Sequence, residues 1–477
     1  MCWVDNLTLA YLGKCNQEEY ENGPDFHGNV LGTNLQSFVA LLPGQASGLY
    51  LRTIISQIFL NKETQHADYQ EFTFPNGLRM VHRQVSNTRI AHCGFVLDTG
   101  SRDEKLGQEG IAHFWEHMAF KGTNRRKSFH ILNGLEILGG EINAYTTKEK
   151  IAFHASVLAT HFSKAVDILS DITFNSIFPE KEIEKEKNVI LEEMSMYLDT
   201  PDDAIQDEFD ALMFPGHPLG NNILGTETSV PSFTREDFLK FYRDNVSSDR
   251  LVFSCVVPFD LKTAIKRAGP FLSAMPTLKV EKIRLAPEPL KAQEMVCRKP
   301  IQQAHLMMGC RAYPMGNQNR LPFFLLNNIL GGPALTSRLN MSIRERYGLV
   351  YSVESGYSAY LDTGVFSVYL GTEPKNLSKA IGLVEKEIRH LINEPLSPTR
   401  LRQAREQLKA QLAMAEEGNQ MFMLMLGKSM LDQGRVESLA EIFTAIDQID
   451  AGLLKEIARE SWDHDNWVRL SYVPEGK

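Results

Sequence analysis

The chain repeats itself. Ser163-Lys-Ala-Val-Asp-Ile-Leu169 is matched by Ser378-Lys-Ala-Ile-Gly-Leu-Val384 at an offset of 215 residues. Asp249-Arg-Leu-Val-Phe-Ser-Cys-Val-Val-Pro258 is matched by Asp465-Asn-Trp-Val-Arg-Leu-Ser-Tyr-Val-Pro474 at an offset of 216. In each half the first match follows an alternating strand (Ile151 to Val157, Gly364 to Leu370), and the second is a strand preceded by a helix-like run. Two matches in one order at nearly one offset imply an internal duplication. The length of 477 residues agrees, because a single core stops growing at ~250–300 residues.

Each half holds several strands and amphipathic helices in irregular order. That predicts an α+β fold of two homologous domains, each an antiparallel sheet packed with helices, rather than a doubly wound parallel fold. The seam falls at residues 276–292, where Pro276, Pro287 and Pro289 interrupt a charged segment without a period. The expected domains are therefore 66–275 and 293–477, with 276–292 as linker. Residues 1–65 show no sustained period and read as a poorly ordered leader or an overlong translated start. Alternation begins at Tyr69 to Phe74, and Asn76-Gly77 before Leu78 to Arg83 marks a hairpin.

Composition removes several classes. At 43% hydrophobic and 23% charged residues the chain is globular. Fifty basic against 59 acidic residues leave −9, so neither nucleic acid nor an anionic membrane surface is an expected partner. No stretch reaches the ~20 apolar residues of a membrane helix, and Met1 to Asp5 lacks the basic run of a secretory signal. Six cysteines without a C-x-x-C pair suit a reducing compartment, so a cytoplasmic location is expected.

The chemistry is concentrated in Gly110-Ile-Ala-His-Phe-Trp-Glu-His-Met-Ala-Phe120. On a helix His113 and His117 share one face, so both imidazoles can reach one metal ion with Glu116 beside them. Two histidines and one carboxylate suit zinc with an open position for water, and the order H-x-x-E-H is the inverzincin arrangement. A chance match, or two core histidines on an amphipathic helix, would show the same spacing, so a third ligand must be found. The segment Pro179 to Leu198 is a strong helix, and Glu186 and Glu193, seven apart, share a face. Acidic runs on helices usually face solvent, and spacing alone does not choose among Glu182, Glu184, Glu186, Glu192 and Glu193.

From about Gln70 onward the chain resembles the insulinase-like (pitrilysin, M16) zinc metallopeptidases, in the branch that includes bacterial processing proteases and mitochondrial processing peptidase subunits. In that family the third ligand is a Glu some 76 residues beyond the second motif His, the position of Glu193 here, and the acidic residue one heptad earlier falls on Glu186. The resemblance implies one zinc per chain held by His113, His117 and Glu193, with Glu186 behind them. Gly139-Gly-Glu-Ile-Asn-Ala-Tyr-Thr146, His217-Pro-Leu-Gly220 with Ile223-Leu-Gly-Thr226, and Ser337-Arg-Leu339 leading into Ile343 to Ser352 are similar to family signatures. The first implies an edge strand at Asn143 and Ala144 that pairs with an extended peptide. The last carries the family's Arg and Tyr as Arg344 and Tyr351, which implies donors for substrate or for the tetrahedral oxyanion. Trp115 departs from the family, where a smaller aliphatic residue is usual; it should alter helix packing rather than ligation.

The implied activity is zinc-dependent endopeptidase action on peptides and unfolded segments, with Glu116 as general base. The alternative is a scaffold or partner subunit that keeps the fold without catalysis; hydrolysis of non-peptide amides has no motif of its own. A homodimer, or a heterodimer with a related chain, is the assembly the family suggests. Shifting His113, Glu116, His117 and Glu193 by 215 lands on Asn328, Gly331, Gly332 and Leu408. The second half should therefore repeat the scaffold without the metal, closing a chamber and presenting Arg344 and Tyr351.

Overall fold

The computed structural model describes residues 69–475 and the two-residue strand β1 (Thr64–Gln65). Apart from that strand, the leader expected over residues 1–65 lies outside the described residues. β2 (Gln70–Thr73) and β3 (Arg79–Gln84) form the hairpin around Asn76-Gly77, where Gly77 adopts φ 86°. With β4 (Ile90–Leu97), β5 (Glu141–Thr146), β6 (Ile151–Leu158) and β7 (Leu251–Val257) they make a seven-stranded sheet ordered β1-β2-β3-β7-β4-β6-β5. The second sheet has five strands: β8 (Gln293–Lys299), β9 (Ala304–Ala312), β10 (Val350–Ala359), β11 (Gly364–Thr372) and β12 (Val468–Pro474). Their order, β8-β12-β9-β11-β10, repeats β3-β7-β4-β6-β5 element for element.

The sheets are mixed rather than purely antiparallel. β3 runs parallel to β7, and β8 runs parallel to β12. In each half the strand that returns last arrives after a long helical excursion, the kind of connection a parallel neighbour needs and a hairpin cannot supply.

The helices of the first half are α1 (Ile111–Ala119), α2 (Ser128–Glu136), α3 (Phe162–Phe174), α4 (Glu180–Leu198), α5 (Pro201–Met213), α6 (Ser229–Ser232), α7 (Arg235–Asn245) and α8 (Leu261–Leu272). Those of the second are α9 (Arg320–Gly331), α10 (Leu377–Asn393), α11 (Pro398–Glu417), α12 (Asn419–Gln433), α13 (Leu439–Gln448) and α14 (Ala451–Trp462). Most keep to their own half, burying an apolar stripe such as Phe162, Ala165, Val166 and Leu169 of α3.

Two helices cross over. Pro201 at its first turn and Asp202 and Asp203 beside it start α5. That helix then buries Ile205, Phe209 and Met213 against Met307, Val468, Leu470 and Tyr472 of the second sheet. In return α12 lies on the first sheet, where Gly427 is so close that a Cβ would stand 2.6 Å from Val96, and Ser254 donates to the Met423 sulfur at 3.1 Å. Residues 276–292 between the halves carry neither helix nor strand. The side chains of Lys282 and Arg284 within them are covered and pair with Asp103, and Arg284 also reaches Asp98 at 2.9 Å. Among the described residues no helix is long and apolar enough to cross a membrane.

Because the Phe209 ring joins α5 to the other half's sheet, Phe209→Ala will cost about 3–5 kcal/mol, as large-to-small core changes do. A lower urea midpoint, with hydrogen-exchange protection lost from β12 as well as α5, checks this.

Candidate metal centre

α1 is built to turn one face outward. Ile111, Ala112, Phe114, Trp115, Met118 and Ala119 are buried, and Trp115 packs edge-on against Phe153 and Tyr242. The helix starts tightly: Gly110 adopts φ 94°, and a Cβ there would stand 2.5 Å from the Leu224 carbonyl. Glu104 caps it, accepting the Gly110 N–H at 3.0 Å and the Ala112 N–H at 2.9 Å. The remaining face presents His113, Glu116 and His117 to α4.

On α4 burial divides the five candidate glutamates, leaving Glu182 half-buried but outside the cluster. Glu184 and Glu192 are exposed, whereas Glu186 is buried and Glu193 half-buried. One ligand atom each from His113, His117 and Glu193 lie within 4.8 Å of one another. Glu193 stands 3.8 Å from His113 Nε2 and 3.6 Å from His117 Nε2. Those separations exceed a hydrogen bond and approach the roughly 3.3 Å edge of a tetrahedron with ~2.0–2.1 Å metal bonds. His117 Nδ1 donates to Glu186 Oε1 at 3.1 Å, which leaves Nε2 to the cluster. The other Glu186 oxygen takes Lys121 at 2.7 Å. The donor set is therefore that of a three-ligand site with an open position, and it fits zinc.

The protonation pattern suits a cation. Burial, with His117 nearby, pushes His113 down to about 3, so its imidazole is neutral. Burial raises Glu186, but the bonds from His117 and Lys121 outweigh it and hold the carboxyl below its ordinary value. Burial raises Glu193 and Glu116. Thr146 at the end of β5 donates to Glu116 Oε2 at 2.6 Å, opposing that rise and fixing the carboxylate.

Among the described residues β5 is the edge strand of its sheet. Asn143 is exposed, and its Oδ1 accepts the Ala144 N–H at 2.8 Å, occupying a main-chain donor of that edge. Arg344 and Tyr351 are placed elsewhere. Arg344 sits in a π-helical turn, Asn340–Glu345, 3.9 Å from Glu345. Tyr351 is 82% exposed at the start of β10. Among the described residues neither shares a hydrogen bond, ion pair or ring contact with the cluster. In the second half the equivalent space is filled: a Cβ on Gly331 would stand 2.6 Å from Ser355 N, and Leu408 is fully buried. Sequence reasoning gave no role to Thr146, Lys121 or Glu104. Lys121 lies four beyond His117, a helical spacing that was legible; Glu104 acts through backbone contacts that no spacing reveals.

Two family models match the chain: "Insulinase (Peptidase family M16)" over residues 79–227 and "Peptidase M16 inactive domain" over residues 232–408. The Bacillus subtilis "Uncharacterized zinc protease YmxG" is 33% identical over 404 residues, 84% of this chain and 97% of the relative. A Rickettsia bellii "Uncharacterized zinc protease" is 34% identical over 376 residues, 79% of this chain and 90% of the relative. The crystal structure of a peptidase M16 inactive domain from Pseudomonas fluorescens superposes with TM-score 0.79 at 19% identity, covering 86% of this chain and 98% of that one. A protease from Helicobacter pylori gives TM-score 0.79 at 18% identity, covering 87% and 100%. These two show likeness of fold.

Glu186→Gln removes the charged acceptor behind His117 and should weaken zinc binding about 10–100-fold, as loss of such outer partners does. Competition with a chelator of known affinity measures it.

Proposed function

The chain belongs to the insulinase family (peptidase family M16), and on that ground we propose that it is a zinc-dependent endopeptidase acting on peptides and unfolded segments. The observation that carries the proposal is the convergence of His113, His117 and Glu193 beside Glu116. One zinc ion held by those three side chains would supply the Lewis acidity that brings the pKa of a water at its open position toward neutrality. Glu116 is the proton carrier. Thr146 ties down one of its oxygens, so the other is left to take the water proton and deliver it to the leaving amine. Its burial raises its proton affinity, which suits that task.

The free edge of β5 at Asn143 and Ala144 would pair with an extended substrate once the Asn143 side chain releases the Ala144 N–H. Main-chain pairing tolerates many sequences and requires an unfolded partner. Arg344 and Tyr351 are the donors proposed for the oxyanion. Neither touches the cluster in its own chain, so we place them in a second chain, in a homodimer or a heterodimer with a related subunit. The free cysteines Cys93, Cys255 and Cys310 are buried and unpaired, which supports a reducing, cytoplasmic setting.

A second reading, a non-catalytic partner subunit, is favoured by one observation: the model matching residues 232–408 is that of an inactive domain. It describes the half whose ligand positions are Asn328, Gly331 and Gly332, and leaves the first half's donors intact. Glu116→Gln separates the readings. Zinc content should stay at one per chain while kcat/KM on a quenched-fluorescence peptide falls by roughly 10²–10⁴-fold. Activity of the parent chain should vanish with a chelator and return with zinc. A purified chain that binds zinc yet cleaves no peptide would favour the partner-subunit reading.

A further inference from the structure

The turn after β5, residues 147–150, carries three buried charges that the metal cluster does not use: Lys148, which pairs with Asp210, and Glu149 and Lys150 at 8% and 5% exposed. Glu149 and Lys150 reach into the second half. Lys150 Nζ lies 2.7 Å from Asp432 on α12 and 3.0 Å from Asp98. Glu149 Oε2 accepts the Leu361 N–H at 3.1 Å. Arg102 bridges Glu149 and Asp362 at 2.6 Å each. Leu361 and Asp362 form the β10–β11 turn, so three of these partners come from the half without metal ligands. The turn's backbone is gripped as well, because Thr147 and Lys148 carbonyls accept N–H groups of Ser101 and Arg102 at 3.2 and 2.7 Å.

Among the described residues β5 is paired on one side only, with β6. Its position relative to α1 therefore depends on how this turn is anchored, and Thr146, which holds Glu116, is the last residue before it. A buried ion pair is expensive, and a Met–Leu pair would fill the space with less desolvation; what charges add is a single geometry.

We propose that the second half positions the substrate-pairing strand of its own chain, with Asp432 and Asp362 as positioning residues acting through Lys150 and Glu149. This rests on the reading that β5 pairs with peptide. Two variants are compared in a Glu116→Gln background: Asp432→Asn, and the shape-matched double change Lys150→Met with Asp432→Leu, which keeps a readout if the first fails to fold. Anisotropy of a labelled extended peptide, with zinc loaded, should show roughly tenfold weaker binding, the scale at which small misplacements act. Zinc affinity by chelator competition should not change. With Glu116 intact, KM should rise about tenfold and kcat stay within about twofold. Mere destabilisation would instead lower the active fraction and kcat at constant KM, and that pattern overturns the proposal. Unchanged peptide binding in the double variant overturns it too. Failure of the Glu116→Gln parent to bind peptide would sink the substrate reading first, before any seam variant is compared.

Discussion

The seating of α1 in the first core decides everything at the site. A nine-residue helix is too short to persist alone, so its direction comes from what it buries. Phe114, Trp115 and Met118 take the apolar side, which leaves His113, Glu116 and His117 no orientation but toward α4. Glu104 then satisfies two N–H groups of the first turn from outside the helix. With rotation and end both fixed, two imidazoles and the Glu193 carboxylate meet. The unusual Trp115 takes part in this packing and in no ligation.

Much of this was legible in the sequence, because it lives in local periodicity. The duplication, the hairpin at Asn76-Gly77, the helix over Glu180–Leu198 and the one-face arrangement of His113 and His117 all follow from spacing. What escaped depends on contacts distant in sequence. The five candidate glutamates on α4 look alike until burial sets Glu186 apart and proximity to His113 and His117 sets Glu193 apart. The parallel pairs β3–β7 and β8–β12 depend on where a long excursion returns, which composition does not record. The placement of Arg344 and Tyr351, clear of the cluster in their own chain, depends on how two sheets are set beside each other.

The two halves show how one scaffold gains or loses a site. α9 and α11 repeat α1 and α4, yet Asn327 and Ser355 bond each other's backbone and Gly331 lies against β10. The space that admits imidazoles in one half is closed by main chain in the other. Leu408, fully buried where the first half has its third ligand, completes an apolar contact in place of a polar one. The second half lacks those donors yet keeps the sheet order, so strand order and ligand set are separable properties of this architecture.

The reciprocal loan of α5 and α12 bears on ancestry. Neither sheet has its full cover from its own half, and the two borrowed helices occupy the same place in the repeat, each following the helix equivalent to α4. An intertwined pair of identical subunits, later joined end to end through a tether like residues 276–292, would leave this arrangement. The present chain would then preserve an older two-chain association within one polypeptide.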